Sequence, residues 1–151
     1  KGWAMTGWRL GYLSGPESVI KAASALQSQS TSNVCSFAQQ GAVAALTGPR
    51  DCLQTMAESY NRRRSFLVSG LQAMSGITLV PPQGAFYAFP QLPDACGDSM
   101  SFCHRALEQE GLAIVPGAAF GDDRCVRVSC AVSRETITDG LARLARLLAV
   151  N

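Results

Sequence analysis

From Arg50 to Met74 the apolar residues Leu53, Met56, Tyr60, Leu67, Leu71 and Met74 recur on one helix face for about 25 residues, roughly 37 Å at 1.5 Å per residue. A helix of that length exceeds what one small domain needs. In a chain of 151 residues it predicts a bridge between two folded bodies. Residues 1–49 then close a larger domain, and 50–151 form the bridging helix with a smaller domain.

The smaller domain reads as an α+β unit. Short apolar runs predict strands at Ile77–Val80, Ala85–Phe89, Ala113–Val115 and Cys125–Cys130, the first two separated by the Pro81-Pro82 break. A helix is expected from Ser99 to Glu110. Another follows Ser133 with Ile137, Leu141, Leu144 and Leu148 on one face. Before the bridge, Trp8, Leu10 and Tyr12 alternate with Arg9, Gly11 and Leu13, which predicts a strand over Trp8–Ser14. Gly15-Pro16-Glu17 starts a helix carrying Val19, Ile20, Ala23 and Leu26, and the polar stretch Gln27–Asn33 reads as a loop. An alanine-rich helix over Ser36–Leu46 places Gly41 where close packing is possible, and Thr47-Gly48-Pro49 ends it.

A hydrophobic content of 47% with 16% charged residues is that of a packed globular chain rather than a disordered one. The net charge of +2 is too small to define a nucleic-acid surface, and Arg62-Arg63-Arg64 is read as a mostly solvated helix face. No apolar run reaches the roughly 18 residues of a membrane span, so a soluble, cytoplasmic protein without nucleic-acid or membrane partners is expected. The six cysteines lack C-x-x-C spacing and read as free thiols. Cys103 and His104 are adjacent, and on a helix such neighbours point about 100° apart, which argues against a nucleophile pair. No metal site is expected.

The chain has two lysines, Lys1 and Lys21, among many arginines. An amine that loses its proton can form Schiff bases with carbonyls, whereas a guanidinium is a permanent planar anion receptor. Lys1 and Arg9 stand eight steps apart, roughly 26 Å if extended, so the chain between them must fold back for both to reach one small ligand. Spacing alone favours a solvated lysine and an ordinary surface arginine. On the last strand Arg127 projects with Cys125 and Ser129 away from Val126, Val128 and Cys130. A structural salt bridge and a grip on a ligand carboxylate are both open to it.

Lys1 followed by Ala4-Met5-Thr6-Gly7-Trp8-Arg9, Pro81–Pro90 (PPQGAFYAFP), Gly111–Gly121 (GLAIVPGAAFG) and Val126–Ser133 (VRVSCAVS) resemble, in order, the motifs of fold-type I, class I/II aminotransferases, the aspartate aminotransferase superfamily. The resemblance runs from end to end. It implies an α/β fold, namely the C-terminal part of a pyridoxal-phosphate-dependent transferase: a remnant of the large domain over 1–49 and the small α+β domain over 50–151. It also implies pyridoxal 5′-phosphate as cofactor, with Lys1 as the catalytic Schiff-base lysine, Arg9 on the cofactor phosphate and Arg127 on the substrate α-carboxylate. Amino-acid and 2-oxo acid substrates and a homodimer follow, with Ser32 and Asn33 near the subunit interface.

Family members carry a long amino-terminal half before the lysine, holding the aspartate for the pyridine nitrogen, the aromatic stacked on the ring and most of the phosphate cradle. Alone, the chain is therefore expected to be inactive. A carbon-sulfur lyase or synthase of the same superfamily, and a non-catalytic dimerising module, are the alternatives to an aminotransferase.

Overall fold

The computed structural model describes residues 2–149. Its helices are α1 Glu17–Ser30, α2 Ser36–Thr47, α3 Asp51–Gln72, α4 Ser99–Glu110 and α5 Arg134–Ala149, and its strands are β1 Tyr87–Ala88, β2 Val115–Pro116 and β3 Val126–Ser129. Short 3-10 turns lie at Thr6–Trp8, Asp94–Cys96 and Gly117–Phe120. The chain separates into two compact units, one ending at Met56 and the other starting at Ala57. The periodic stretch read as a bridging helix is α3, and the division falls inside it. Among the described residues no helix is long and apolar enough to cross a membrane.

In the second unit β3 lies between β1 and β2, antiparallel to both. Tyr87 pairs with Ser129, and Val115 pairs with Arg127. Helices α3, α4 and α5 supply Leu71, Phe102, Ala106, Ile137 and Leu144 to a core that also holds Val126 of β3. Each large side chain buried there contributes about 1.5–3 kcal/mol. The ends of α4 follow local chemistry. Asp98 caps the start, its Oδ1 accepting from the Ser101 amide at 2.8 Å, while Gly111 at φ 59 closes the end in the left-handed conformation that glycine adopts without steric cost.

The strands are shorter than the apolar runs that predicted them. Ile77–Val80 reduces to a single bridge between Thr78 and Gln91, because Pro81 and Pro82 have no amide hydrogen to extend a ladder. The arginine run is also less solvated than expected. Arg63 and Arg64 are half-buried, and Arg63 lies 4.4 Å from the Tyr60 ring centre while its Nη1 donates to the Val132 carbonyl at 2.9 Å.

In the first unit the strand expected over Trp8–Ser14 is absent. Trp8 ends a 3-10 turn and Arg9 is left-handed, at φ 53 and ψ 47. Alternation marks which residues could share a face, but a strand also needs a neighbour to accept its hydrogen bonds, and no strand among the described residues pairs with this segment. Gln27–Ser30 belongs to α1 rather than to a loop. Its serines suit the helix by bonding back to it, Ser28 Oγ to the Ala25 carbonyl at 2.8 Å and Ser30 Oγ to that of Leu26 at 2.9 Å. Gly41 packs as its size suggests: a Cβ there would stand 2.6 Å from a ring carbon of Trp8.

Candidate functional site

Arg127 occupies the middle of β3, half-buried and opposite Val115 of β2. Because Tyr87 pairs with Ser129, Tyr87 is the diagonal neighbour of Arg127 on the same sheet face. The 3-10 turn Gly117–Phe120 follows β2 directly and carries Phe120 to the same place. The guanidinium carbon of Arg127 is 4.3 Å from the ring centre of Tyr87 and 4.3 Å from that of Phe120. Phe89 meets Phe120 edge-on at 6.1 Å, and Phe86 lies 4.4 Å from Tyr87. Among the described residues no carboxylate forms an ion pair with Arg127. The nearby Arg124 is different, since it is bound to Asp122 at 2.7 Å.

An arginine against two aromatic rings, with no carboxylate ion pair among the described residues, keeps donors that an anion can use. The rings attract it through their π faces and leave the N–H edges for bidentate recognition. The two faces of β3 are not cleanly core and solvent, however, because Cys125 is 6% exposed although it shares the side of Arg127 in alternation.

The loop bearing Phe120 is pinned from below. Ser99 is fully buried; its Oγ donates to Asp123 Oδ1 at 2.6 Å and accepts from the Ala118 amide at 3.2 Å. The Ser99 amide also donates to Asp123 Oδ1 at 3.0 Å. Gly117 donates its amide to the Cys125 carbonyl at 2.8 Å, and a Cβ at this position would collide with the carbonyls of Cys125 and Asp122. Gly117→Ala should therefore destabilise the second unit by about 3 kcal/mol, since overpacking against backbone cannot relax cheaply; the denaturation midpoint in urea measures it. Hydrogen bonds from Arg124 hold the Asp122 carboxyl down to about 2. Its depressed value means that the contribution is complete above the ordinary carboxylate range and disappears as pH falls through about 2.

Arg9 belongs to the first unit. It is exposed, and its Nη1 donates to the Thr6 carbonyl at 3.2 Å, so most of its donors remain available to another acceptor. Met5, Thr6, Arg9 and Leu10 line a recess of about 310 Å³ beside it. This donor set fits the phosphate of the expected cofactor. Lys1 lies outside the described residues. Ser32, at φ 58, and Asn33 lie in the exposed connection between α1 and α2.

Cys103 is buried, and burial pushes its thiol up to about 11, while His104 faces Glu108 one turn on, at 3.3 Å. They form no catalytic pair, and no metal-ligating cluster occurs among the described residues. The cysteines Cys35, Cys52, Cys96, Cys103, Cys125 and Cys130 are free. Sequence reasoning found Arg127 but missed Phe120 and the Ser99–Asp123 anchor. The available signal was the Val-Pro-Gly stretch itself, whose phenylalanine stands seven residues before Arg127 and meets it only through strand pairing.

A family model described as "Aminotransferase class I and II" matches residues 1–144. The chain is 42% identical to the aspartate aminotransferase of Pinus pinaster, over 98% of its own length and 33% of that protein's. It is 42% identical to the aspartate/prephenate aminotransferase of Cereibacter sphaeroides, over 95% of this chain and 38% of the relative. The solved structure of an aromatic aminotransferase from Pyrococcus horikoshii OT3 matches with a TM-score of 0.92 at 34% identity, covering 99% of this chain and 41% of that one. The chain thus spans between about a third and two-fifths of the length of these relatives.

Proposed function

The chain belongs to the class I and II aminotransferase family, and from that premise we propose that it supplies the lysine and two anion-binding arginines of an enzyme moving an amino group from an amino acid to a 2-oxo acid. The observation carrying this reading is Arg127, held at 4.3 Å from two ring centres without a carboxylate partner among the described residues. In this reading Arg127 grips the substrate α-carboxylate through two N–H donors and so orients the α-carbon. Arg9 neutralises the phosphate of pyridoxal 5′-phosphate. The Nζ of Lys1 would hold the cofactor and, as a free amine, would accept the proton lost by the substrate α-carbon as general base and then donate a proton as general acid at a different carbon. When bound, the cofactor supplies the electron sink.

A cytoplasmic homodimer belongs to the same proposal. Leu26 and Phe37 are 71% and 75% exposed, apolar surface of the kind an assembly covers. Aspartate, which appears in the names of the two relatives compared by sequence, is the first donor to try, with 2-oxoglutarate as acceptor. The intact holoenzyme should produce glutamate and the 2-oxo acid of the donor in equal amounts. Release of a thiol from a cysteine-derived thioether, without amino-group transfer, would instead identify a carbon-sulfur lyase.

A further inference from the structure

We propose that Phe120 and Tyr87 are positioning residues that set the plane of Arg127, so that a substrate carboxylate is met edge-on; this rests on the carboxylate-binding reading of Arg127 given above. The guanidinium carbon is equally distant from both ring centres, at 4.3 Å. Tyr87 and Phe120 make no ring contact with each other among the described residues, so each ring meets the cation separately. A guanidinium is planar, and its N–H bonds lie in that plane. Two rings held 4.3 Å from its central carbon restrict its rotation and narrow the directions from which an anion can approach. What remains is the in-plane edge, where the two coplanar oxygens of a carboxylate match two donors.

Two features hold this geometry without help from a ligand. Tyr87 is fixed by the β1–β3 register, as Arg127's diagonal neighbour. Phe120 is 48% exposed and would swing freely on an ordinary loop, yet its turn is tied two residues earlier, where the Ala118 amide donates to the fully buried Ser99 hydroxyl, itself bound to Asp123. The polar anchor therefore acts on the substrate through Phe120 and then Arg127. The arginine pays little ordering entropy on binding, because its fork is already aimed.

The test uses the holoenzyme and reads KM against kcat. Phe120→Leu keeps apolar bulk and removes the π face. It should raise KM for the amino donor about fivefold, as expected for one partly exposed cation–π contact, with kcat changed less than about twofold, on the premise that orientation of the carboxylate is lost mainly in binding. Cofactor affinity and melting temperature should stay near those of the parent. Phe120→Tyr retains the ring and should bring KM back. If Phe120→Leu fails to fold, Tyr87→Leu carries the same expectation from the other ring. An unchanged KM in the folded leucine variant, alongside a raised KM in Arg127→Lys, would overturn the positioning role and leave the carboxylate reading intact. An unchanged KM in both would overturn the carboxylate reading itself.

Discussion

Replacing Lys1 with alanine in the holoenzyme should reduce amino-group transfer by about 10³-fold or more, within the range of losses seen when a general acid–base is removed. The assignment rests on its place three residues before the run Ala4–Arg9 and on the nature of the only other lysine. Lys21 is exposed and ion-paired, its Nζ 2.7 Å from Glu17 Oε1. An exposed amine already ion-paired to a carboxylate is a poor candidate for an anchoring nucleophile. Borohydride reduction followed by peptide mapping should leave the cofactor on Lys1. Label confined to Lys21 would reject the assignment.

Arg127→Lys should lower kcat/KM for amino donors about 10²-fold while leaving cofactor binding nearly unchanged. Lysine keeps the positive charge, but a compact ammonium cannot present two parallel donors or match the guanidinium's contacts with Tyr87 and Phe120. Hydrogen bonds to charged groups contribute about 1.5–3 kcal/mol each, so loss of one bond together with the stacking accounts for that magnitude. Arg9→Ala should show the opposite bias, weakening cofactor affinity first and donor KM afterwards. Spectroscopic titration of the cofactor together with steady-state kinetics separates the two arginines. Near-parental KM and kcat/KM in Arg127→Lys would make that arginine structural.

The helices of the second unit were legible because their periodicity and caps are local. The helix expected from about Ser99 to Glu110 matches α4, whose ends Asp98 and Gly111 set locally. The strand read over Trp8–Ser14 failed for the converse reason: alternation is a property of the segment, and a ladder is a property of two segments. Polarity misled at Gln27–Ser30, where serines satisfy themselves along the helix. The candidate site divides in the same way. The motif around Arg127 marked the cation, while its neighbours are set by the pairing of Val115 with Arg127 and of Tyr87 with Ser129, which no single stretch records. Ser99 gave no signal either, since a serine at the start of a helix is commonplace and its complete burial depends on Asp123, 24 residues away.

The tethering of Ser99, Gly117 and Asp123 bears on how this part of the chain can evolve. Surface connections usually accept insertions readily, and enzymes often acquire new preferences by lengthening them. Between Val115 and Arg127 that route is closed, because an added residue would have to preserve the β2–β3 register, the Gly117 amide on the Cys125 carbonyl and the Asp123 carboxylate on Ser99 all at once. These ties fix the length here, and side-chain identity is free to change only away from Gly117 and Asp123. Altered donor binding arising near Arg127 is thus expected through point substitutions such as those at Phe120, and a directed-evolution library built there should randomise residues in place and leave the spacing alone.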